Sequence, residues 1–398
     1  MLRIMSALPP PDADALEHSA RLARHIQSQV LAAGGAIPFS RFMELCLYTP
    51  GLGYYSAGAS KFGEAGDFVT APELGPLFAA CTADAIAPVI RQLGPEAAIV
   101  ELGGGSGAFA EVALKRLLAL DALPARYAIL EPSADLRQRQ QERLRERLNP
   151  LLGELVEWID GPPEAEWNGV LFANEVIDAL PTPRFTLRGG EVFEEHVSLD
   201  GEGRFVRDDR PADPLLTAAV RHVERQLEAP FADGYRSELL PQLPYWLQAV
   251  AGGLRSGAML FVDYGYARRE YYNPQRSDGT VRAFRRHHLV PDVLAYPGLQ
   301  DITASVDFTA LAEAGTGAGF DFSGYCNQAS FLIGNGLEQR LAEAEAKARD
   351  EAGRYRLRQE AKRLTLPGEM GERFQAMGFA RDVEFGVAFL AGDLSHRL

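Results

Sequence analysis

The chain has 398 residues, 46% of them hydrophobic and 24% charged, enough for one large elaborated domain or for two. Forty basic residues stand against 54 acidic ones, and the resulting net charge of −14 argues against a nucleic-acid partner, which would need a basic surface. No apolar run approaches the ~20 residues that span a bilayer, so membrane insertion is not expected.

The N-terminus, MLRIMSALPPPDADALEHSA, lacks the apolar core of a secretory signal and carries acids that a transit peptide avoids. Cys46, Cys81 and Cys326 lie far apart, fit neither zinc spacing nor a disulfide framework, and read as small buried hydrophobes. The expectation is a soluble cytoplasmic protein without a metal site.

Taken in chain order, residues 14–33 show helical periodicity, with Leu16, Leu22, Ile26 and Val30 on one stripe. Pro38 to Leu47 reads as a short helix. A glycine-rich stretch, YTPGLGYYSAGASKFGEAGDFVTAPELG, is too long for a mere connector, and a helix follows at Leu77 to Leu93. Strand-like runs then appear at 98–102, 126–130, 154–159 and 169–173, with helical segments near 107–119 and 134–148. That alternation predicts an α/β fold with a mostly parallel sheet and right-handed crossovers.

RFTLRGGEVFEEHVSL reads as a hairpin turning through Gly189-Gly190, followed by helices near 212–228 and 238–252. A later strand starts at Gly257. Residues 265–300 read as an irregular arm rich in Arg, Tyr, Pro and Asp. Its Arg268, Arg269, Arg276, Arg282, Arg285 and Arg286 suit a solvated loop and a substrate-facing arm equally well, and His287 and His288 beside them read as non-catalytic. A helix near 308–315, a strand near 320–326, a charged helix over 337–363 and an antiparallel last strand at 383–390 complete the chain. The domain reading is an N-terminal helical extension with a glycine-rich lid (1–96), then a sheet domain (97–398) with an insertion at about 182–256 and the arm.

In IVELGGGSGAFAEVALKRL, Gly103, Gly105 and Gly107 let backbone approach a ligand where a strand turns into a helix. With Ala108 the segment also satisfies the looser dinucleotide pattern G-x-G-x-x-A. Glu101, two residues before the first glycine, decides between ligands: a carboxylate there repels a pyrophosphate but suits an amine or sulfonium, as in S-adenosylmethionine. Glu131, 24 residues after Gly107, stands where a carboxylate accepts both ribose hydroxyls.

Several motifs match a known family together: YTPGLGYYSAGASKFGEAGDFVTAPELGPLF (48–78), VELGGGSG (100–107), ANEVIDALP (173–181), GYRSEL (234–239), FVDYGY (261–266), GTVRAF (279–284), QDITASVDF (300–308) and LPGEMGERFQAM (366–377). Over about residues 37–390 the sequence resembles the MidA-like family of S-adenosylmethionine-dependent methyltransferases. Its mitochondrial members are protein-arginine methyltransferases needed for assembly of respiratory complex I. Gly104 replaces the proline common in the family's glycine motif. The resemblance implies a class I Rossmann-like sheet, with Glu101, Gly103, Gly105 and Gly107 at the methionine end of the cofactor, Glu131 at its ribose and Asp160 near its adenine. It also implies a protein substrate, with a complex I core subunit as candidate.

An arginine acceptor is protonated at neutral pH, so carboxylates are needed to bind its guanidinium and expose one nitrogen. In NEVIDALP, after the fourth strand, Glu175 and Asp178 would share one side of a helix ended by Pro181, and Asn174 would face cofactor or substrate. Glu73 is a third carboxylate, and Asp67, Phe68 and Thr70 would touch the cofactor from the lid. Asp263, at a strand end on the same sheet edge, takes no assigned role. The competing readings are a small-molecule O- or N-methyltransferase, a cofactor-binding assembly factor, and a nicotinamide dehydrogenase.

Overall fold

Alternation along AIVEL sends Ile99 to one face of a strand and Ala98, Val100 and Leu102 to the other, so the strand needs an apolar layer on each side. The computed structural model describes residues 10–56, 70–286 and 288–398. In chain order, α1 (Ala13–Ala32), β1 (Ala36–Pro38), α2 (Phe39–Tyr48), α3 (Ala71–Leu74) and α4 (Leu77–Leu93) precede the sheet region. There follow β2 (Ala98–Leu102), α5 (Ala108–Ala119), β3 (Arg126–Leu130), α6 (Ala134–Arg147), α7 (Pro150–Gly153), β4 (Val156–Ile159) and β5 (Trp167–Asn174). The insertion contributes β6 (Arg184–Arg188), β7 (Glu191–Leu199), β8 (Phe205–Pro211), α8 (Pro214–Glu224), β9 (Arg236–Glu238) and α9 (Leu243–Ala251).

The chain returns through β10 (Leu254–Tyr266), α10 (Arg268–Tyr271), β11 (Arg282–Arg285), β12 (His288–Val290), β13 (Asp301–Thr303) and β14 (Val306–Asp307). It ends with α11 (Phe308–Gly317), β15 (Asp321–Asn327), α12 (Gln328–Gly334), α13 (Leu337–Lys347), α14 (Glu351–Thr365) and β16 (Phe374–Arg381).

The central sheet runs β15-β16-β10-β5-β2-β3-β4, with β14 beside β10. Its pairs are parallel except those of β16, which runs antiparallel to both neighbours. One face carries α4, α5 and the C-terminal helices; the other carries α9 and α11. The strands close tightly at Ala98, Gly169 and Gly257, which stand in register on β2, β5 and β10. A Cβ on Gly169 would lie 1.9 Å from the Ala98 carbonyl oxygen, and one on Gly257 equally close to that of Gly169. Gly169→Ala is therefore expected to cost about 2–3 kcal/mol by forcing the strands apart, read as a lower denaturant midpoint. An unchanged midpoint would mean that the sheet absorbs the methyl group.

Several elements differ from expectation. Leu16 is exposed, because the stripe that α1 buries is Ser19, Leu22, Ile26 and Val30. The charged 337–363 stretch is two helices, α13 and α14, divided where Asp350 accepts from the Gly353 amide. The antiparallel last strand is Phe374–Arg381, not 383–390; Phe385 and Phe389 instead fold back over Gly378.

The arm is ordered rather than irregular: β12-β11-β13 form a small sheet packed with α1 and α2. Arg268 and Arg285 turn inward, whereas Arg269, Arg282 and Arg286 stay exposed. Arg268 is buried against Asp307 and Glu313, and the Arg276 guanidinium lies over the Tyr266 ring. All three cysteines are buried and free, and burial raises each thiol pKa. Among the described residues no helix is long and apolar enough to cross a membrane, and no cluster could hold a metal ion.

Candidate active site

The carboxyl ends of β2, β3, β5 and β10 open into a cavity of about 780 Å³. Its first wall is the glycine turn. Gly103 and Gly105 line it at φ of +66° and +53°, a left-handed backbone that only glycine adopts without cost. Gly104 stays small for another reason: a Cβ there would meet Ile129 at 2.8 Å. Gly107 does not line the cavity; at φ +81° it begins α5 where the chain passes close to Gln140.

Glu101 lines the cavity with its carboxylate accepting from the Tyr127 hydroxyl at 2.8 Å. Burial, against that hydrogen bond, lifts its pKa to about 7. Glu131 is held by the Ser133 amide at 3.0 Å and by Gln140 Nε2 at 3.2 Å, while the same Gln140 nitrogen donates to the Gly105 carbonyl. One α6 side chain thus ties the glycine turn to the β3 carboxylate. Both acids line the cavity, and the pair suits a cationic ligand with a ribose better than a pyrophosphate.

NEVIDALP forms the second wall, and it is not a helix. The Asp263 carboxylate takes the amides of Ile177 (3.0 Å) and Asp178 (3.3 Å), and the Val262 carbonyl takes that of Glu175 (2.9 Å). With those donors engaged, no helical turn starts. Tyr48 Oη and the Ala304 amide fasten the carbonyls of Ala179 and Asp178, each at 2.9 Å. Glu175 adopts φ +54°, a strained conformation for a residue with a side chain, held by this surrounding scaffold.

Glu175 accepts from Asn174 Nδ2 at 3.1 Å and from the Ala71 amide of α3. Withdrawal from water and the nearby Asp178 charge raise its pKa to about 8. Asp178 accepts from the Tyr264 hydroxyl, yet burial and the charges of Asp263 and Asp301 push its pKa well above the usual range. Asp178 Oδ1 and Asn174 Oδ1 are buried acceptors without a donor among the described residues.

Glu73 and Thr70 line the cavity too, but Glu73 accepts from Ser106 Oγ of the glycine turn and so sits on the first wall. Asp160 stands apart from the cavity; its exposed carboxylate pairs with Arg137 at 2.8 Å. Asp67, Phe68 and His287 lie outside the described residues.

Sequence reasoning passed over Asp301, Thr303 and Tyr264. The Tyr55 hydroxyl donates to Asp301 at 2.7 Å, and Thr303 hydrogen-bonds Tyr264. The available signal was their place inside QDITASVDF and FVDYGY. Behind this wall, buried Glu238 accepts from the Thr280 amide and hydroxyl, and Thr280 Oγ1 accepts from the Ser305 amide at 2.9 Å. The insertion thereby anchors the strand that presents Asp301.

The family model that matches residues 81–326 is described as "Putative S-adenosyl-L-methionine-dependent methyltransferase". The chain belongs to that family. A crystal structure from Burkholderia thailandensis bound to S-adenosyl-homocysteine is 40% identical and superposes with a TM-score of 0.91, over 98% of this chain and 100% of the other. Among curated relatives, the mitochondrial protein arginine methyltransferase NDUFAF7 of Danio rerio is 28% identical over 88% of this chain and 85% of its own length. The Homo sapiens protein of that name is 27% identical over 88% and 81%. The chain is accordingly an S-adenosylmethionine-dependent methyltransferase, and the dehydrogenase alternative falls.

Proposed function

We propose that the enzyme methylates the guanidinium of an arginine in a protein substrate. The observation that carries this reading is the second wall: clustered carboxylates with raised pKa values, and two buried acceptor oxygens, on Asp178 and Asn174, without donors among the described residues. A guanidinium brings five N–H donors and a fixed positive charge, which suit buried carboxylates and orphaned acceptors. The names of the curated relatives support the same acceptor.

S-adenosylmethionine supplies an activated methyl on a sulfonium. Glu101, Glu131, Gly103, Gly105 and Asn174 would hold it, with Thr70 and Glu73 closing the near side. Glu175 and Asp178 bind the guanidinium, concentrate its charge on two nitrogens and aim the third at the methyl. That alignment can supply on the order of 7–11 kcal/mol of the barrier. As the N–CH3 bond forms and the S–CH3 bond breaks, the nitrogen sheds a proton, which a Glu175 carboxylate oxygen accepts. Asp301 takes the place of the third acid, which the sequence reading gave to Glu73.

Incubating the enzyme with methyl-labelled cofactor and extract of its own host tests the acceptor. Label should enter protein and hydrolyse to methylarginine, with a respiratory complex I core subunit as first candidate. Label confined to small molecules would refute the reading. For the cofactor wall, Glu131→Ala is expected to weaken S-adenosylmethionine binding about 50-fold by calorimetry, through loss of a charged hydrogen-bonding group. Affinity within about threefold of wild type would remove Glu131 from the site.

A further inference from the structure

The cavity is lined by seven acidic side chains, Glu73, Glu101, Glu131, Asp135, Glu175, Asp178 and Asp301, and among the described residues by one cation, Arg373. Arg373 lies in LPGEMGERFQAM, a motif that the cofactor and acceptor roles leave unused. Its exposed side chain has no hydrogen-bond or ionic partner among the described residues, although the fold as a whole pairs most of its arginines. An unpaired guanidinium beside so many carboxylates that it does not contact is positioned for something else.

Its place in the sheet says for what. Arg373 immediately precedes β16, its carbonyl accepts from the Gly265 amide, and Phe374 stands in register with Tyr264, the residue that donates to Asp178. β16 is three strands from β2, about 14 Å at the usual strand spacing. The residue therefore borders the acceptor wall, with two strands between β16 and the strand that leads into the glycine turn.

We propose that Arg373 is a specificity residue that binds an acidic side chain lying within a few residues of the target arginine. The substrate class becomes a protein segment that pairs a guanidinium, for the acid wall, with a nearby Asp or Glu, for the rim. This inference rests on the arginine-acceptor reading above. Among the described residues the rest of the cavity offers an aspartate only like charge, so the rim cation selects both for the acid and for its spacing from the arginine.

The test uses the full-length enzyme and acetylated, amidated peptides built on Gly-Gly-Gly-Arg-Gly-Gly-Gly, with aspartate or lysine placed at each position from −3 to +3. Wild type should methylate at least one aspartate peptide about five- to tenfold faster than the neutral one in kcat/KM, the scale of one partly desolvated charge pair. Arg373→Gln should bring that ratio close to one, and Arg373→Glu should turn the preference toward lysine. Affinity for S-adenosyl-homocysteine should change little in either variant.

Equal use of all peptides by wild type, or a preference that survives Arg373→Gln, overturns the proposal. A tenfold loss of S-adenosyl-homocysteine affinity in Arg373→Gln also overturns it, by placing the residue on the cofactor. If wild type binds S-adenosyl-homocysteine yet labels none of these peptides, the arginine-acceptor reading fails and takes this inference with it.

Discussion

Glu175→Gln is expected to lower kcat/KM by about 10³, or ~4 kcal/mol of transition-state stabilisation. Glutamine keeps the volume and can still accept from Asn174 and the Ala71 amide, so the backbone at φ +54° and the cavity wall persist. What disappears is the negative charge that localises the guanidinium charge and the oxygen that takes the departing proton. Charged hydrogen bonds that tighten as the reaction proceeds are lost from the transition state more than from the ground state. Binding of S-adenosyl-homocysteine, measured by calorimetry, should stay within about twofold of wild type, since the proposed role of Glu175 is toward the acceptor and not the nucleoside. A variant retaining more than about a tenth of wild-type activity would remove Glu175 from the chemistry. Asp178→Asn is the parallel control, and it keeps the bond from Tyr264.

Much of the first wall's geometry was legible in the sequence because its signals are local. A strand, three glycines and a helix within one short run fix the turn, and Glu101 and Glu131 follow from their offsets to it. Gly107 shows the limit of that logic: it does not line the cavity, and its positive φ serves the start of α5. The acceptor wall depends on long-range pairing. Nothing within NEVIDALP announces that Asp263, 85 and 86 residues downstream, will occupy two of its amides and forbid the helix that its spacing suggests. Asp301 reaches the same wall through β13, which Glu238 of the insertion holds by way of Thr280 in the arm.

The misplaced last strand has a similar origin. VEFGVAFL carries the stronger β pattern, but its two phenylalanines fill the gaps left by Gly378 and Gly324 on the neighbouring strands. FQAMGFAR, weakened by its glycine, is the segment that pairs with β10 and β15. Local propensity lost to packing.

The acceptor wall should also make the ligand-free enzyme lose stability as pH rises. Burial raises Glu175 to about 8 and Asp263 to about 8, with Asp178 also well above the normal range. The sign follows from proton counting. Between the unfolded values near 4 and the folded ones near 8, the folded chain binds more protons than the unfolded chain, so the unfolding free energy falls with increasing pH. These groups together should cost on the order of 4 kcal/mol between pH 5 and pH 8, read as a lower thermal midpoint at the higher pH. Glu175→Gln removes one of them. The variant should therefore match wild type at pH 5 and exceed it by ~1–2 kcal/mol at pH 8. A more stable protein with a dead active site is the expected signature of carboxylates held in place to bind a cationic substrate. Equal midpoints for wild type and variant at both pH values would mean that the wall is well solvated and its acids ionise freely. It would then hold a guanidinium no more tightly than an exposed surface pair does.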